Sequence, residues 1–383
     1  MYSDEYYMAR AISLARRGWY STHPNPRVGC VIVKNNHIIA DGWHQIAGQG
    51  HAEVNALAAL KESNNIADAQ GATAYVTLEP CSHHGKTPPC SQALVDAGIK
   101  KVVVAMEDPN PLVEGKGITF LRENDLQVKV GVLESEARLL NPGFIQRMEN
   151  KRPKIRCKMG MSLDGRTAMA NGESQWITSP EAREDVQRLR AESSAILTGI
   201  GTVLADNPSM TVRSEQYKNI HRQPDRVVLD SALKMPETAK MLSLQGQTHI
   251  LADKKCQLSA VDKIKSLQES GADIHYLSSH ELNGQTQLDL SEVLAIMAQQ
   301  QYNDVLLEAG ATLTGSMLQA GYVDELIIYM APSLMGSDAR GLFNLPGMTQ
   351  MSDKIHLHIQ DIRAVGKDFR ITASVDKAWV PGS

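Results

Sequence analysis

The tightest constraint on this chain is His51-Ala52-Glu53 read together with Pro80-Cys81 and Cys90. One imidazole and two thiolates can give a zinc ion three ligands and leave the fourth position to water, the arrangement of a catalytic rather than a structural site. Three separate stretches must then close on one point. Glu53 suits a proton carrier better than a ligand. Residues two apart on a regular helix point to opposite sides. His51 and Glu53 therefore share a site only if the histidine stands at the very start of a helix, where geometry is still irregular. Taken singly, a cysteine is most often a small buried hydrophobe, a histidine is more often packed than ligating, and His-x-Glu recurs by chance. The combination, with Pro-Cys at a strand end and Pro-Cys at a helix start, is what points to metal.

The surrounding pattern is α/β. A helix is expected over 4–17, capped by Ser3 and ended by Gly18. Pro24 and Pro26 forbid a helix and hold Asn25 in extended backbone. Strands at 28–33 and 37–42 form a hairpin across Asn35-Asn36. A helix over 51–61, a strand at 72–78, a helix from Cys90 to Gly98 and a strand at 101–105 follow. A helix near 117–123, a strand at 127–132 and a helix from Glu134 complete the first unit, a layered α/β domain with a mixed sheet. Cys90 at a helix start favours the thiolate that zinc needs.

At 383 residues the chain exceeds one ordinary core, so two domains are expected. Asn150-Lys151-Arg152-Pro153 is the linker candidate, and the division is set at 1–147 and 148–383. The second part reads as strands at 154–161, 195–198, 226–229, 248–251, 274–277, 304–307 and 325–329. Helices are expected at 180–191, about 260–269, 291–301 and 312–320. With 14 basic and 16 acidic residues through Asn150, and 25 and 27 after it, neither part is a phosphate-backbone binder. Asp4, Glu5 and Arg10 leave no room for a signal peptide, and no apolar run reaches membrane-spanning length. Five widely spaced cysteines suit a reducing compartment, hence a cytoplasmic protein.

The H-x-E…P-C…C pattern is that of zinc-dependent nucleobase deaminases. Zinc lowers the pKa of a bound water from about 15.7 to about 7. Glu53 would take the water proton, pass it to the ring nitrogen and help the amine leave as ammonia. The eight residues between Cys81 and Cys90 exceed the usual two, and the insert carries His83, His84 and Lys86, which suit either the site or a solvated loop.

Longer motifs sharpen this. THPNPRVGCVIV, HAEVNAL, TLEPCSHHGKTPPC and MEDPNPLVEGKG resemble the deaminase half of the bifunctional deaminase/reductases of riboflavin biosynthesis. KMGMSLDGRTA, GESQWITS, LTGIGTVLADNPSMTVR, LLEAGATLTGSML and MGSDARGLF resemble their reductase half. The stretch 214–290 is least covered. The resemblance implies a cytidine-deaminase-like first domain and a dihydrofolate-reductase-like second domain. It implies His51, Cys81 and Cys90 as zinc ligands and Glu53 as proton shuttle, with the wide cysteine spacing as the family's own variant. Asn25, His44, His83, Lys86, Asp108 and Asn110 align with the deaminase substrate pocket. An amide held between prolines can both donate to and accept from a pyrimidine edge.

No GxGxxG follows a strand, so a dinucleotide fold of that type is not expected. From spacing alone, Gly310 to Ser316 is an ordinary turn into a helix, although such a helix start suits a phosphate. The resemblance places NADPH along Gly310, Ala311, Thr312, Leu313, Thr314, Gly315 and Ser316, with Gly160, Trp176, Thr202 and Asp206 as further contacts. Core packing is the plainer reading of Trp176. Ser174, Arg190, Met210, Arg213 and Glu308 align with the reductase substrate site. Arg190 and Arg213 would clamp a sugar phosphate, unless each is a surface ion pair. Lys158, on an otherwise apolar strand, could polarise a ring carbonyl or the opened sugar carbon and is the expected catalytic residue of the reductase. The expectation is a homo-oligomer, dimer or tetramer, acting on a pyrimidine ribose phosphate with Zn2+ and NADPH, without nucleic acid or membrane. Two other classes compete: a nucleic-acid editing deaminase, which the acidic balance opposes, and a deaminase whose second half only builds or dimerises.

Overall fold

A computed structural model describes residues 2–63, 65–82, 89–218, 220–282 and 285–376. The chain forms two compact units, Met1–Arg152 and Pro153–Ser383.

The first unit begins with α1 (Asp4–Ala15), whose N-cap Ser3 accepts from the Tyr6 amide. The hairpin β1 (Gly29–Lys34) and β2 (His37–Trp43) leads to α2 (Ala52–Glu62), β3 (Thr73–Val76), α3 (Cys90–Asp96), β4 (Lys101–Val104), α4 (Lys116–Glu123), β5 (Gln127–Val130), α5 (Glu134–Arg138) and α6 (Pro142–Asn150). The sheet order is β2-β1-β3-β4-β5. β1 is antiparallel to both neighbours, and β3, β4 and β5 are parallel, so the sheet is mixed as expected. Alternation along β1 divides the core. Val31 and Val33 pack with Met8, Ala11 and Phe144 on one face, while Cys30 and Ile32 pack with Ala56, Leu57 and Leu94 on the other.

The second unit opens with β6 (Lys154–Ser162), β7 (Arg166–Ala168), α7 (Pro180–Glu192), β8 (Ala195–Gly199), α8 (Ile200–Asp206), β9 (Asp225–Leu229) and β10 (Thr248–Asp253). It continues through α9 (Cys256–Ser259), α10 (Val261–Glu269), β11 (Ala272–Leu277), β12 (Ser279–Leu282), β13 (Gln285–Leu288), α11 (Leu290–Gln299), β14 (Asp304–Leu307), α12 (Ala311–Gln319) and β15 (Glu325–Ala331). The last strands are β16 (Arg340–Gly341), β17 (Leu357–Val365) and β18 (Asp368–Val375). The main sheet has order β11-β10-β9-β8-β14-β6-β15-β18-β17. It is parallel from β11 to β15, and β18 and β17 add to it antiparallel. All seven strands expected from sequence are present; β7, β12, β13, β16, β17, β18, α8 and α9 are additional. β17 escapes the sequence reading because almost none of it is buried, so it carries no core-facing alternation. The central strands bury both faces, against clusters built on Leu251, Val305 and Met317 on one side and on Ile250, Leu306 and Tyr329 on the other.

Candidate active sites

In the first unit three element ends meet. His51 is the N-cap of α2, with extended backbone at φ −75° and ψ 171°, so it stands outside the helix that carries Glu53 in its first turn. Cys81 follows β3, and Cys90 is the first residue of α3. The Nδ1 of His51 lies 3.6 Å from Cys81 Sγ and 3.3 Å from Cys90 Sγ, and all three donor atoms lie within 4.8 Å of one another. Tetrahedral zinc, with Zn–S near 2.3 Å and Zn–N near 2.0–2.1 Å, sets such atoms about 3.6 Å apart. The donor set fits the ion in chemistry and in spacing.

Hydrogen bonding from Cys90, whose amide also reaches the Cys81 sulfur at 3.4 Å, holds the Cys81 thiol below its ordinary value, while burial opposes and the His51 ring assists. The Cys90 thiol is pushed up in turn, first by that same contact. Glu53 is buried, and burial pushes its carboxyl up to about 7, with the Cys81 charge adding to the effect. A carboxyl poised there can take and return a proton near neutral pH.

Asn25 and His44 form one unit. His44 Nδ1 lies 3.1 Å from the Gly50 carbonyl, which can only accept, so Nδ1 carries the proton and Nε2 is left to accept. The Asn25 side-chain NH2 group donates to it at 3.2 Å. Burial lowers the His44 pKa, which keeps the ring neutral. Its ring stands edge-on to His51, centroids 5.2 Å apart. Asp108 is buried, which raises its carboxyl to about 6, and it accepts from the Asn110 amide at 2.9 Å. His83 and Lys86, with His84, lie outside the described residues.

Two residues without an assigned role in the sequence reading organise this site. The buried Glu79 carboxylate accepts from the amides of Asp108, Gly115, Gly117 and Ile118, at 2.8–3.2 Å, and so ties the Asp108 loop beside Cys81. A Cβ on Gly117 would lie 1.9 Å from the Pro80 carbonyl oxygen, so only glycine fits. The Asn55 amide donates to the carbonyls of Trp43 and Gly50, fixing the turn that carries His44 and His51. Both belong to the quoted motifs, but donors to Glu79 come from 29 to 39 residues away, which local pattern does not reveal.

In the second unit Lys158 lies on β6, where its ammonium is 3.1 Å from Glu308 Oε2. Glu308 follows β14 and is buried. Arg190 on α7 grips the same carboxylate with two bonds, 2.7 and 3.0 Å, and gives a third to the Thr211 carbonyl. Burial by itself would raise Glu308; the Arg190 and Lys158 charges overcome it and hold the carboxyl well below the usual range. β6 is less apolar than expected. Arg156, two residues before Lys158 on the same face, is committed to Glu192 at 2.7 Å, to the Leu189 carbonyl and to the Ser193 hydroxyl. Gly160 continues that face, and a Cβ there would meet the Thr178 methyl at 3.2 Å.

The expected phosphate clamps separate. Arg190 is half-buried with its fork on Glu308, so it is turned to a carboxylate. Arg213 is exposed and lines a cleft of about 240 Å³ with Lys218, His221, Arg222 and Glu215. Met210 is 3% exposed and packed with Ile196, Val203 and Val228, so its side chain is a core group here. Ser174 is half-buried.

Along Gly310–Ser316 the residues divide. Gly310 caps α12, and the first intrahelical bond joins the Thr314 amide to the Gly310 carbonyl. The amides of Ala311, Thr312 and Leu313 precede that bond and are the free end of the helix. Thr314 and Gly315 are the inward-facing members of the run. Thr314 is buried, its hydroxyl donating to Gly310, and Gly315 packs on backbone, since a Cβ there would lie 2.0 Å from the Asn344 oxygen. Ser316 and Leu313 are half-buried. Thr202 and Asp206 lie on α8, whose cap Gly199 would bring a Cβ within 3.6 Å of Leu313. Trp176 is 70% exposed, with the Arg183 guanidinium 4.4 Å above its ring, which removes the core-packing reading.

The first unit, with its His-Cys-Cys donors beside a buried glutamate, has the make-up of a zinc-dependent deaminase. Residues 1–106 match the cytidine and deoxycytidylate deaminase zinc-binding region, and residues 153–371 match the RibD C-terminal domain. The riboflavin biosynthesis protein RibD of Escherichia coli K12 is 48% identical over 374 residues, covering 95% of this chain and 97% of that protein. The Haemophilus influenzae RibD is 42% identical over 378 residues, 96% of each. Acinetobacter baumannii RibD, form 2, superposes with a TM-score of 0.87 at 43% identity over 97% of this chain and 99% of that one. A diaminohydroxyphosphoribosylaminopyrimidine deaminase/5-amino-6-(5-phosphoribosylamino)uracil reductase from Thermotoga maritima does so with 0.83 at 30% identity, over the same shares. The chain belongs to the RibD family, bifunctional enzymes of riboflavin biosynthesis that carry a zinc-binding deaminase and a reductase.

Proposed function

We propose that the first unit deaminates 2,5-diamino-6-ribosylamino-4(3H)-pyrimidinone 5′-phosphate. The second unit would then reduce the ribosyl group of the product, with NADPH, to give 5-amino-6-(5-phosphoribitylamino)uracil. The observation that carries the reading is the buried Glu53 carboxyl beside the converged donors of His51, Cys81 and Cys90. Zinc, when bound there, supplies a water activated at neutral pH. Glu53 would accept a proton from that water and pass it to the ring nitrogen, then take the proton of the added hydroxyl and pass it to the amine, which leaves as ammonia. Asn25, with one amide hydrogen spent on His44, keeps its oxygen and its second hydrogen for the pyrimidine edge. Asp108, whose amide donates to Glu79, and Asn110, whose amide donates to Asp108, are the further substrate contacts of this reading.

NADPH supplies the hydride of the reductase. The free amides of Ala311, Thr312 and Leu313 support a site for its phosphates, and Trp176 offers an exposed ring. Lys158, steadied by Glu308, presents a cation to the opened sugar carbon. Arg213 is the better-placed residue for the substrate phosphate. A cytoplasmic location agrees with five free thiols. Among the described residues no helix is long and apolar enough to cross a membrane. A homo-oligomer is supported by the edge strand β17, which leaves Ile359 and Ile362 more than half exposed.

The test is a coupled assay on the pyrimidine phosphate. Ammonia release should vanish when zinc is chelated and return when it is restored. NADPH oxidation with the deaminated compound should persist without zinc. Ammonia release without any NADPH oxidation would leave the second unit without the proposed reaction.

A further inference from the structure

β10 and β11 run parallel at one edge of the nine-stranded sheet, with His249 opposite Asp273. His275, two residues on, points to the same side as Asp273. His249 Nδ1, His275 Nε2 and one Asp273 oxygen stand at the corners of a triangle with sides 3.0, 3.1 and 3.1 Å. Hydrogen bonds cannot satisfy all three sides. If both ring nitrogens carry protons, two N–H groups face each other. If only one does, the other nitrogen sets its lone pair against the carboxylate. One cation satisfies all three sides together. Bonds of 2.0–2.1 Å place ligands about 3.0–3.4 Å apart in octahedral or tetrahedral geometry.

Two imidazoles and a carboxylate suit first-row divalent ions and leave further positions open. The His249 side chain is 6% exposed and that of Asp273 49%, so the triangle has a fixed floor and an open mouth. The His249 ring also stands against Tyr302, centroids 6.2 Å apart, whose hydroxyl donates to Asp225 at 2.8 Å. The cluster lies toward the amino ends of its strands. Glu308 and Gly310 follow the carboxyl end of β14, a strand parallel to β10 through the sheet.

We propose that His249, Asp273 and His275 form a second metal site, distinct from the deaminase centre, which takes a divalent first-row ion such as Zn2+ and clasps the edge strand β11 to β10. The test uses the full-length enzyme equilibrated with micromolar Zn2+, then measured for bound metal and thermal unfolding. Wild type should bind one more zinc per chain than His275→Ala, and zinc should raise the unfolding temperature of wild type by more than that of the variant, which keeps only the deaminase site. Asp273→Asn keeps the shape of a half-exposed side chain, guards against a folding failure of the first variant, and should bind the extra ion at least about tenfold more weakly. Deaminase and reductase turnover should be unchanged in both. Equal zinc affinity and content in wild type and the variants would overturn the site.

Discussion

At the scale of single residues, each unit sets one charged group in surroundings that give it a task. Glu53 is buried within the first turn of α2, beside the His51 that caps the same helix. Glu53→Gln keeps the shape and removes the proton carrier. Zinc content should stay at the wild-type level while ammonia release falls by about 10²–10⁴. Turnover near wild type would take Glu53 out of the reaction. In the second unit Arg156 and Lys158 share a strand face, but the two terminal nitrogens of Arg156 are engaged by Glu192, Leu189 and Ser193. Lys158, paired only with Glu308 among the described ion pairs, is the one with an ammonium to offer a substrate. Lys158→Ala should leave deamination intact and cripple NADPH oxidation; unchanged oxidation rates would reject its assignment.

At the scale of elements, each site is built where a strand hands over to a helix, and the loops are held by buried carboxylates. Glu79 serves four amides with two oxygens. Glu79→Gln replaces one acceptor oxygen with an NH2 group that faces N–H donors. The loss should be about 1–3 kcal/mol, the cost of unsatisfied buried groups. Denaturant unfolding should read it, with a rise in KM for deamination as the Asp108 loop loosens. The helix ends themselves were legible. HAE at a helix start and Pro-Cys at another require only local geometry, and α2 and α3 begin where those rules place them. β17 was not legible, because an edge strand buries too little for periodicity to mark it.

At the scale of the whole molecule, burial decides which charges are tolerated. Glu308 is carried by the end of β14, Lys158 by β6 and Arg190 by α7, and the three meet inside the second unit. The folded carboxyl lies well below its unfolded value, for the reason already given. The unfolded state therefore binds the proton first. The cluster's contribution is complete above the unfolded carboxyl value, about 4.3, and declines as pH falls from there through the lower folded value. Glu308→Gln, which leaves two partly buried cations facing an amide, should lower stability near neutral pH by up to about 3–5 kcal/mol. Its deficit against wild type should shrink as acid protonates the wild-type carboxyl, which unfolding curves across that range would record. A deficit constant with pH would show that charge is not its origin.

The order of residues alone determined the α/β class, the His-Cys-Cys donor set with its neighbouring glutamate, and the family motifs, because ligand chemistry and helix starts are written in short runs of sequence. Tertiary structure alone decided that Arg190 serves Glu308, that Met210, Thr314 and Gly315 face inward, and that Trp176 faces out. It also brought His249, Asp273 and His275 together from two strands. Those facts depend on which surfaces are buried against one another, and burial is a property of packed elements that no short stretch of chain contains.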